Sequence, residues 1–407
     1  MPNVVDTIRN FNAGRDPERL AMKYANLRSN AFVFLRGTCH LFYDRLPPDA
    51  LFSKAPAGWL CGDAHLENFG SYKGDNRLVY FDLNDFDEAA LAPVTWELVR
   101  FLSSILVAGD ALRATPADAQ ALCGTFLDAY AAALVLGKAR WVERDTADGL
   151  VRDLLDTLKA RSRPAFLDKR TDKKAHGRVI RCDGKHALAA SDEARAKVVK
   201  LVDTFAAAQD KPGFFKVLDV ARRIAGTGSL GVERYIVLVE GKGSPDANYL
   251  LDLKQALPSS LAPHLALKQP AWPSQAHRVV ALQRRMQAVS MAFLQPVVAA
   301  DVGVKGDASY VLRGLQPSED RVNLDVRRSS LAQIGGVIGQ MGQLMAWAQL
   351  RSAGRQGSAI ADALIDFGGS AASWRGDLLA AAHQCAAQVE KDWKAYSEAY
   401  DAKAIGA

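Results

Sequence analysis

The chain has 407 residues, of which 49% are hydrophobic and 24% charged, a balance that excludes disordered and fibrous classes and is enough for two or three packed cores. The formal net charge of +6 favours an anionic partner, weakly on a chain this long. No uninterrupted apolar run approaches the roughly 20 residues of a membrane-spanning helix, and the start Met1-Pro2-Asn3-Val4 lacks the basic and apolar regions of a signal peptide. We therefore expect a cytoplasmic protein with no membrane partner. Cys39, Cys61, Cys123, Cys182 and Cys385 are scattered and form no C-x-x-C pair, which points to reduced thiols and to neither a disulfide framework nor a zinc site.

Residues 1–58 read as mainly helical, with an apolar stretch at Ala31-Phe32-Val33-Phe34-Leu35-Arg36-Gly37 and a stop at Pro47-Pro48. Residues 59–92 read as loop, strand and loop. From Val94 to about Leu158 the pattern is helical, because Leu98, Phe101, Leu102 and Ile105 recur at three- and four-residue spacing. The stretch from Lys159 to Lys185 is basic, and reads either as a solvated face or as a site for a phosphorylated or nucleic-acid ligand. Its lone aromatic, Phe166, offers no stacking platform, so nucleic acid is not the favoured partner.

From about Phe214 the period changes. Arg234-Tyr235-Ile236-Val237-Leu238-Val239 and Tyr249-Leu250-Leu251-Asp252-Leu253-Lys254 flank the turn cluster Gly241 to Asn248 and predict a β-hairpin. A helix is expected from about Gln275 to Phe293 and a strand from Tyr310 to Leu315. Beyond Leu331 the chain is helical again, with Ile334, Ile338, Met341 and Met345 on one face.

Two polar constellations stand out. The first is Cys61-Gly62-Asp63-Ala64-His65-Leu66-Glu67-Asn68, followed after the strand Leu78-Val79-Tyr80-Phe81 by Asp82-Leu83-Asn84-Asp85-Phe86-Asp87-Glu88. Turns favour Asp, Asn and Gly in any case. Yet hard oxygen ligands beside a further carboxylate are what Mg²⁺-dependent phosphate chemistry requires.

This pair of loops resembles the catalytic and metal loops of the aminoglycoside-phosphotransferase and choline-kinase branch of the kinase-like superfamily. By that resemblance Asp63 is the base for an acceptor hydroxyl, His65 braces the loop, and Asn68 and Asp85, with Asp87 beside them, hold Mg²⁺. The wider string, including Phe34-Leu35-Arg36-Gly37 and Trp96-Glu97-Leu98-Val99-Arg100, resembles the bacterial family called domain of unknown function 2252 over nearly the whole chain. Kinase-like families commonly place a bracing Asp where this chain has Glu97.

The second constellation is Gly226-Thr227-Gly228-Ser229-Leu230-Gly231. A G-x-G-x-x-G string that binds a dinucleotide must lead into a helix, whereas this one leads into a strand. A Gly-rich turn between strands, followed by a lysine on the next strand, is how kinases cover and neutralise ATP phosphates. Gly226, Thr227, Gly228, Ser229, Gly231 and Lys254 are therefore the candidate nucleotide-binding residues; a plain hairpin with a solvated lysine is the alternative.

Because the Gly-rich turn follows the catalytic loop, the expected fold is α+β: a two-lobed, protein-kinase-like fold, circularly permuted. Residues 1–204 would begin a large helical lobe, 205–318 form a small β-rich nucleotide lobe, and 319–407 complete the large lobe. From Gln255 through Ala300 there is no Asp or Glu, so Lys254 lacks the glutamate that a kinase supplies from its next helix. Asp252, on the same strand face, or Gln283 is the expected substitute. The expected function is an ATP- and Mg²⁺-dependent phosphotransferase with an unidentified small-molecule or protein acceptor. The alternatives are a catalytically weak or inactive nucleotide sensor, and a metal-dependent phosphohydrolase using Asp63, His65, Asp82 and Asp85 at a dinuclear centre.

Overall fold

The computed structural model describes residues 3–47, 50–300, 308–317, 320–324 and 329–405. In chain order its strands are β1 (Ala57–Leu60), β2 (Phe69–Lys73), β3 (Val79–Leu83), β4 (Ala90–Pro93), β5 (Val142–Glu143), β6 (Thr171–Lys174), β7 (Gly177–Ile180), β8 (Ala187–Ala189), β9 (Val217–Arg223), β10 (Arg234–Val239), β11 (Tyr249–Gln255), β12 (Gln295–Val298) and β13 (Ser309–Gly314). The fold is α+β: a large helical body carries small sheets, and one six-stranded antiparallel sheet has the order β12-β13-β11-β10-β9-β8.

Strand alternation decides what that sheet does. Along β10, Tyr235, Val237 and Val239 face one way and join a core with Val198, Leu201 and Val202 of the helix Asp192–Ala207. Ile236 and Leu238 face the other way and pack with Leu167, Ile180 and Leu250. A central strand buried on both faces needs a continuous apolar run, which explains why its sequence shows no polar alternation. The second face changes character towards one end of the sheet. There the same parity brings up Arg223, Arg234, Asp252, Lys254 and Arg313, all buried.

The helical body holds the largest core. Its helices Val94–Val107, Pro116–Leu136, Leu331–Ser352 and Ala371–Asp401 pack with the N-terminal helices, and Ile334, Ile338, Met341 and Met345 are all buried as their spacing requires. The helix Leu331–Ser352 starts at a capping box, with Ser330 and Gln333 exchanging backbone contacts. Helix Pro116–Leu136 is the only described helix long and apolar enough to cross a membrane, with a mean hydropathy of 1.4 over its best window, half of which is buried within the protein. Asp118 and Asp128 interrupt it.

β8 and most of the helix Asp192–Ala207 precede residue 205 and pack with the six-stranded sheet. The expected boundary at 318 and 319, and the stop at Pro48, lie outside the described residues. The helix expected to reach Phe293 ends at Met286, and its apolar face, Ala276, Val279, Val280 and Leu282, joins the helical body rather than a core of the sheet alone. The basic stretch folds into the helix Arg163–Asp168 and the β6–β7 hairpin. Several of its charges are paired internally: Arg161 with Asp320, Arg178 with Asp168 and Asp246, and Arg181 with Asp172.

Glycine placement in one helix gives a paired test. A Cβ on Gly342 would sit 2.5 Å from the Phe126 carbonyl oxygen, whereas one on Gly336 would meet nothing within 4 Å. Gly342→Ala should lower stability by about 1–3 kcal/mol through overpacking. Gly336→Ala should raise it by roughly 0.5–1 kcal/mol through lost unfolded-state entropy. Urea-unfolding midpoints of the two variants should therefore move in opposite directions.

Candidate active site

The first loop is held by one helix. Gly62 has φ +84°, and a Cβ there would lie 2.1 Å from the Glu88 carbonyl oxygen, so only glycine allows the two acidic loops to close on each other. From the helix Val94–Val107, Glu97 Oε1 accepts the amides of Cys61 at 2.7 Å and Gly62 at 3.3 Å. Three residues on, Arg100 Nε donates to Asp63 Oδ1 at 2.7 Å, and Nη2 reaches the same oxygen. Residues three apart share a helix face, so a single turn fixes both the loop backbone and its aspartate. Burial pushes the Asp63 carboxyl up, and Arg100 opposes the rise. Both contacts fall on Oδ1, so the ion pair does not consume Oδ2.

Asn68 joins the two loops. Its Nδ2 donates to the Asp63 carbonyl at 3.0 Å and the Asp85 carbonyl at 3.4 Å, and its Oδ1 accepts nothing among the described residues. His65 Nδ1 accepts the Glu67 amide at 3.1 Å. Burial, then Arg36 and Arg100, hold its ring well below the usual histidine range, so it is neutral and acts as a turn brace. Asp82 points elsewhere: it is buried and accepts from Leu83, Ala288 and Arg351. No cluster of three or more His, Cys, Asp or Glu suited to a metal occurs among the described residues. Of the four residues expected at a dinuclear centre, Asp63, His65 and Asp85 line one cleft and Asp82 does not.

Lys254 lies across the cleft from these loops. Its ammonium is buried, lies 3.8 Å from Asp85 Oδ2 and pairs directly with Asp87 Oδ2. Burial alone would raise the Asp85 carboxyl, but Lys254, Arg313 and Arg234 outweigh it and hold it below the usual range. Nearly half of the Asp85 side-chain surface, 47%, remains open. Neither expected substitute for the missing glutamate is Lys254's partner. Gln283 turns to Gln287 and Met291. Asp252 shares the face, as strand parity requires, but three arginines take it: Arg223 at 2.9 Å, Arg234 at 2.8 and 2.7 Å, and Arg313 at 3.3 Å. The helix Gln275–Met286 contributes Arg278 instead, which donates to the carbonyls of Asp87 and Ala89 and so holds the loop that supplies the acid.

The Gly-rich turn runs between β9 and β10 and lines the same cleft. Together with Asp63, His65, Asn68, Asp85, Asp87 and Lys254, residues Gly226, Thr227, Gly228 and Ser229 bound a cavity of about 920 Å³ that includes its open mouth. The amides of Thr227, Gly228 and Ser229 donate to no group among the described residues. Gly231 is not part of the lining. Its carbonyl accepts the Asp16 amide at 3.0 Å, and its φ of +85° serves the turn itself.

Several contributors carry no local motif. Lys23, fully buried, donates to Gly228 O and Asn12 Oδ1, both at 2.8 Å, and Arg15 donates to Gly228 O at 2.9 Å. Burial, then Arg15, keep the Lys23 ammonium well below its usual range. Glu88 accepts from Ser260 Oγ at 2.9 Å and staples the segment after β11 to the second acidic loop. Arg36 and Arg321 meet on Glu67. The one available signal was Arg36 and Arg100 standing inside otherwise apolar helical stretches.

The family model described as "Uncharacterized protein conserved in bacteria (DUF2252)" matches residues 15–399, and the chain belongs to that family. No curated protein and no solved structure matches it.

Asp252 anchors the charged end of the sheet. Asp252→Leu would leave three buried guanidiniums facing an apolar group, and should destabilise the fold by about 3–5 kcal/mol. Chemical denaturation of the variant checks this, and an unchanged midpoint would mean that the arginines find other partners.

Proposed function

We propose that this DUF2252 member is a kinase-like phosphotransferase, with ATP as donor, Mg²⁺ as metal and a circularly permuted two-lobed arrangement. The observation that carries the reading is the meeting of Lys254, the Gly-rich turn and both acidic loops in one cleft. The turn lies between the first and second of three consecutive antiparallel strands, and the lysine stands on the third. That placement is the one by which a kinase lysine reaches nucleotide phosphates.

The donor set suits Mg²⁺. Asp85 and Asp87 offer carboxylates partly open to the cleft, and Asn68 offers a carbonyl oxygen. Mg²⁺ usually takes one or two carboxylates and completes its shell with water and substrate phosphate, so a denser acid cluster is not required. When bound, Mg²⁺ supplies charge neutralisation to the transferring phosphoryl group.

The chain's own groups then divide the work. The Thr227, Gly228 and Ser229 amides and the Lys254 ammonium receive phosphate oxygens. Lys254 pairs with Asp87 until an anion competes for it. Asp63, oriented by Arg100 and by the Glu97-held backbone, accepts the acceptor's hydroxyl proton. The hydroxyl oxygen bonds to phosphorus as the bond to the departing ADP oxygen breaks. Arg100 and Glu97 are positioning residues, and most of the rate enhancement would come from orientation and fixed charge.

Incubating the protein with Mg²⁺, ATP and cell extract, then seeking a phosphate mass gain in small molecules and proteins, tests the reaction class. Lys254→Ala should reduce turnover by about 10²–10³. Asp63→Asn should reduce it by roughly 10²–10⁴ while nucleotide binding persists. Asp85→Asn should abolish Mg²⁺-supported turnover. A mass gain of nucleotide would replace phosphoryl by nucleotidyl transfer. Binding without any transfer would favour the sensor reading.

A further inference from the structure

The end of the cleft beside His65 carries more positive charge than the phosphotransfer roles use. Arg36, on the helix Ala31–Gly37, and Arg321 both line the cavity. They converge on one atom: Arg36 Nη1 lies 2.9 Å and Arg321 Nη1 2.7 Å from Glu67 Oε2. Two guanidiniums hold ten N–H donors between them, and here a single carboxylate oxygen is their shared partner. Arg36 Nε is buried and meets no hydrogen-bond partner among the described residues.

The Arg36 side chain and the backbone beside Arg321 are anchored apart from Glu67. Arg36 lies over the Phe32 ring at 5.6 Å and is only 13% exposed. The backbone beside Arg321 is tied to β2, since the Ser71 amide donates to the Asp320 carbonyl at 3.1 Å. Glu67, 39% exposed, is the most open of the three side chains. Arg100 is spent on Asp63 and Lys254 on Asp85 and Asp87, so neither supplies this function. A planar, preorganised fork in a partly dry cleft is the side-chain chemistry that selects a phosphate or carboxylate.

We propose that Arg36 and Arg321 form the acceptor subsite, and that the acceptor carries a phosphate or carboxylate group close to the hydroxyl received by Asp63. This inference rests on the phosphotransfer reading above. Glu67 occupies the fork in the absence of acceptor and is displaced by the acceptor's anionic group, whose additional oxygens take the donors that Glu67 leaves unused. A cationic acceptor would be repelled.

The test titrates inorganic phosphate, and separately malonate, into the full-length protein saturated with Mg²⁺ and a non-hydrolysable ATP analogue. Arg321→Gln, at a partly exposed position, should weaken binding of the preferred anion at least about tenfold, the worth of one charged hydrogen bond. Glu67→Gln should strengthen it by a similar factor. The stronger of the two anions identifies the group. In turnover with Mg²⁺ and ATP, glycerol 3-phosphate or glycerate should be preferred over glycerol by tenfold or more.

Equal anion affinity in wild type, Arg321→Gln and Glu67→Gln would overturn the proposal. So would loss of ATP-analogue affinity in Arg321→Gln with anion affinity unaltered, because the fork would then serve the donor. A wild type that binds no ATP analogue, yet loses anion affinity in Arg321→Gln, would overturn the phosphotransfer reading and with it the acceptor assignment, leaving an anion site of another kind.

Discussion

The contact of Lys254 with Asp85 and Asp87 is the constraint around which the molecule is organised. The lysine belongs to the six-stranded sheet and the carboxylates to the helical body, and the chain that connects them runs through many other elements. A buried ammonium without a partner is costly, so the sheet and the acidic loop must meet for either to be stable as built. Strand parity aims Lys254 at that face. Arg278 then fixes the carbonyls of the loop, and Ser259 and Ser260 fix Glu88 next to it. The cleft is what remains between these attachments.

Two further devices keep the cleft's charges in order. The helix Val94–Val107 uses one turn to hold both the backbone and the carboxylate of the first loop, which costs it a buried glutamate and a buried arginine, each with a partner. On the sheet, Asp252 gathers three arginines, and this network keeps positive potential near Asp85 without placing another lysine in the cavity. Buried charges of this kind contribute less to stability than to fixing one arrangement. An arrangement so fixed needs little reorganisation when a charged ligand binds.

Much of this was legible in the chain because it is local. The hairpin of β10 and β11, the buried face of the helix from Leu331, and the acidic loops each follow from spacing and turn chemistry within a few residues. The failures have a common cause in contacts between distant segments. Lys23, on the helix Pro17–Arg28, and Arg15, in the connection before it, reach the Gly-rich turn, and nothing near them in sequence announces it. Asp252 was rightly placed on the face of Lys254, yet parity says nothing about three arginines arriving from neighbouring strands. Met291 and Phe293 are apolar like the helix before them, yet the helix ends at Met286 and the chain there turns so that the Ala292 amide meets the Lys73 carbonyl.

Covalent labelling by an acyl phosphate of ATP tests directly whether Lys254 faces the nucleotide, because the probe acylates a lysine amine that lies against bound phosphates. Peptide mass spectrometry should find the acyl group on Lys254, with labelling suppressed by excess ATP and Mg²⁺. Label confined to other lysines, or label on Lys254 that ATP does not suppress, would contradict that placement.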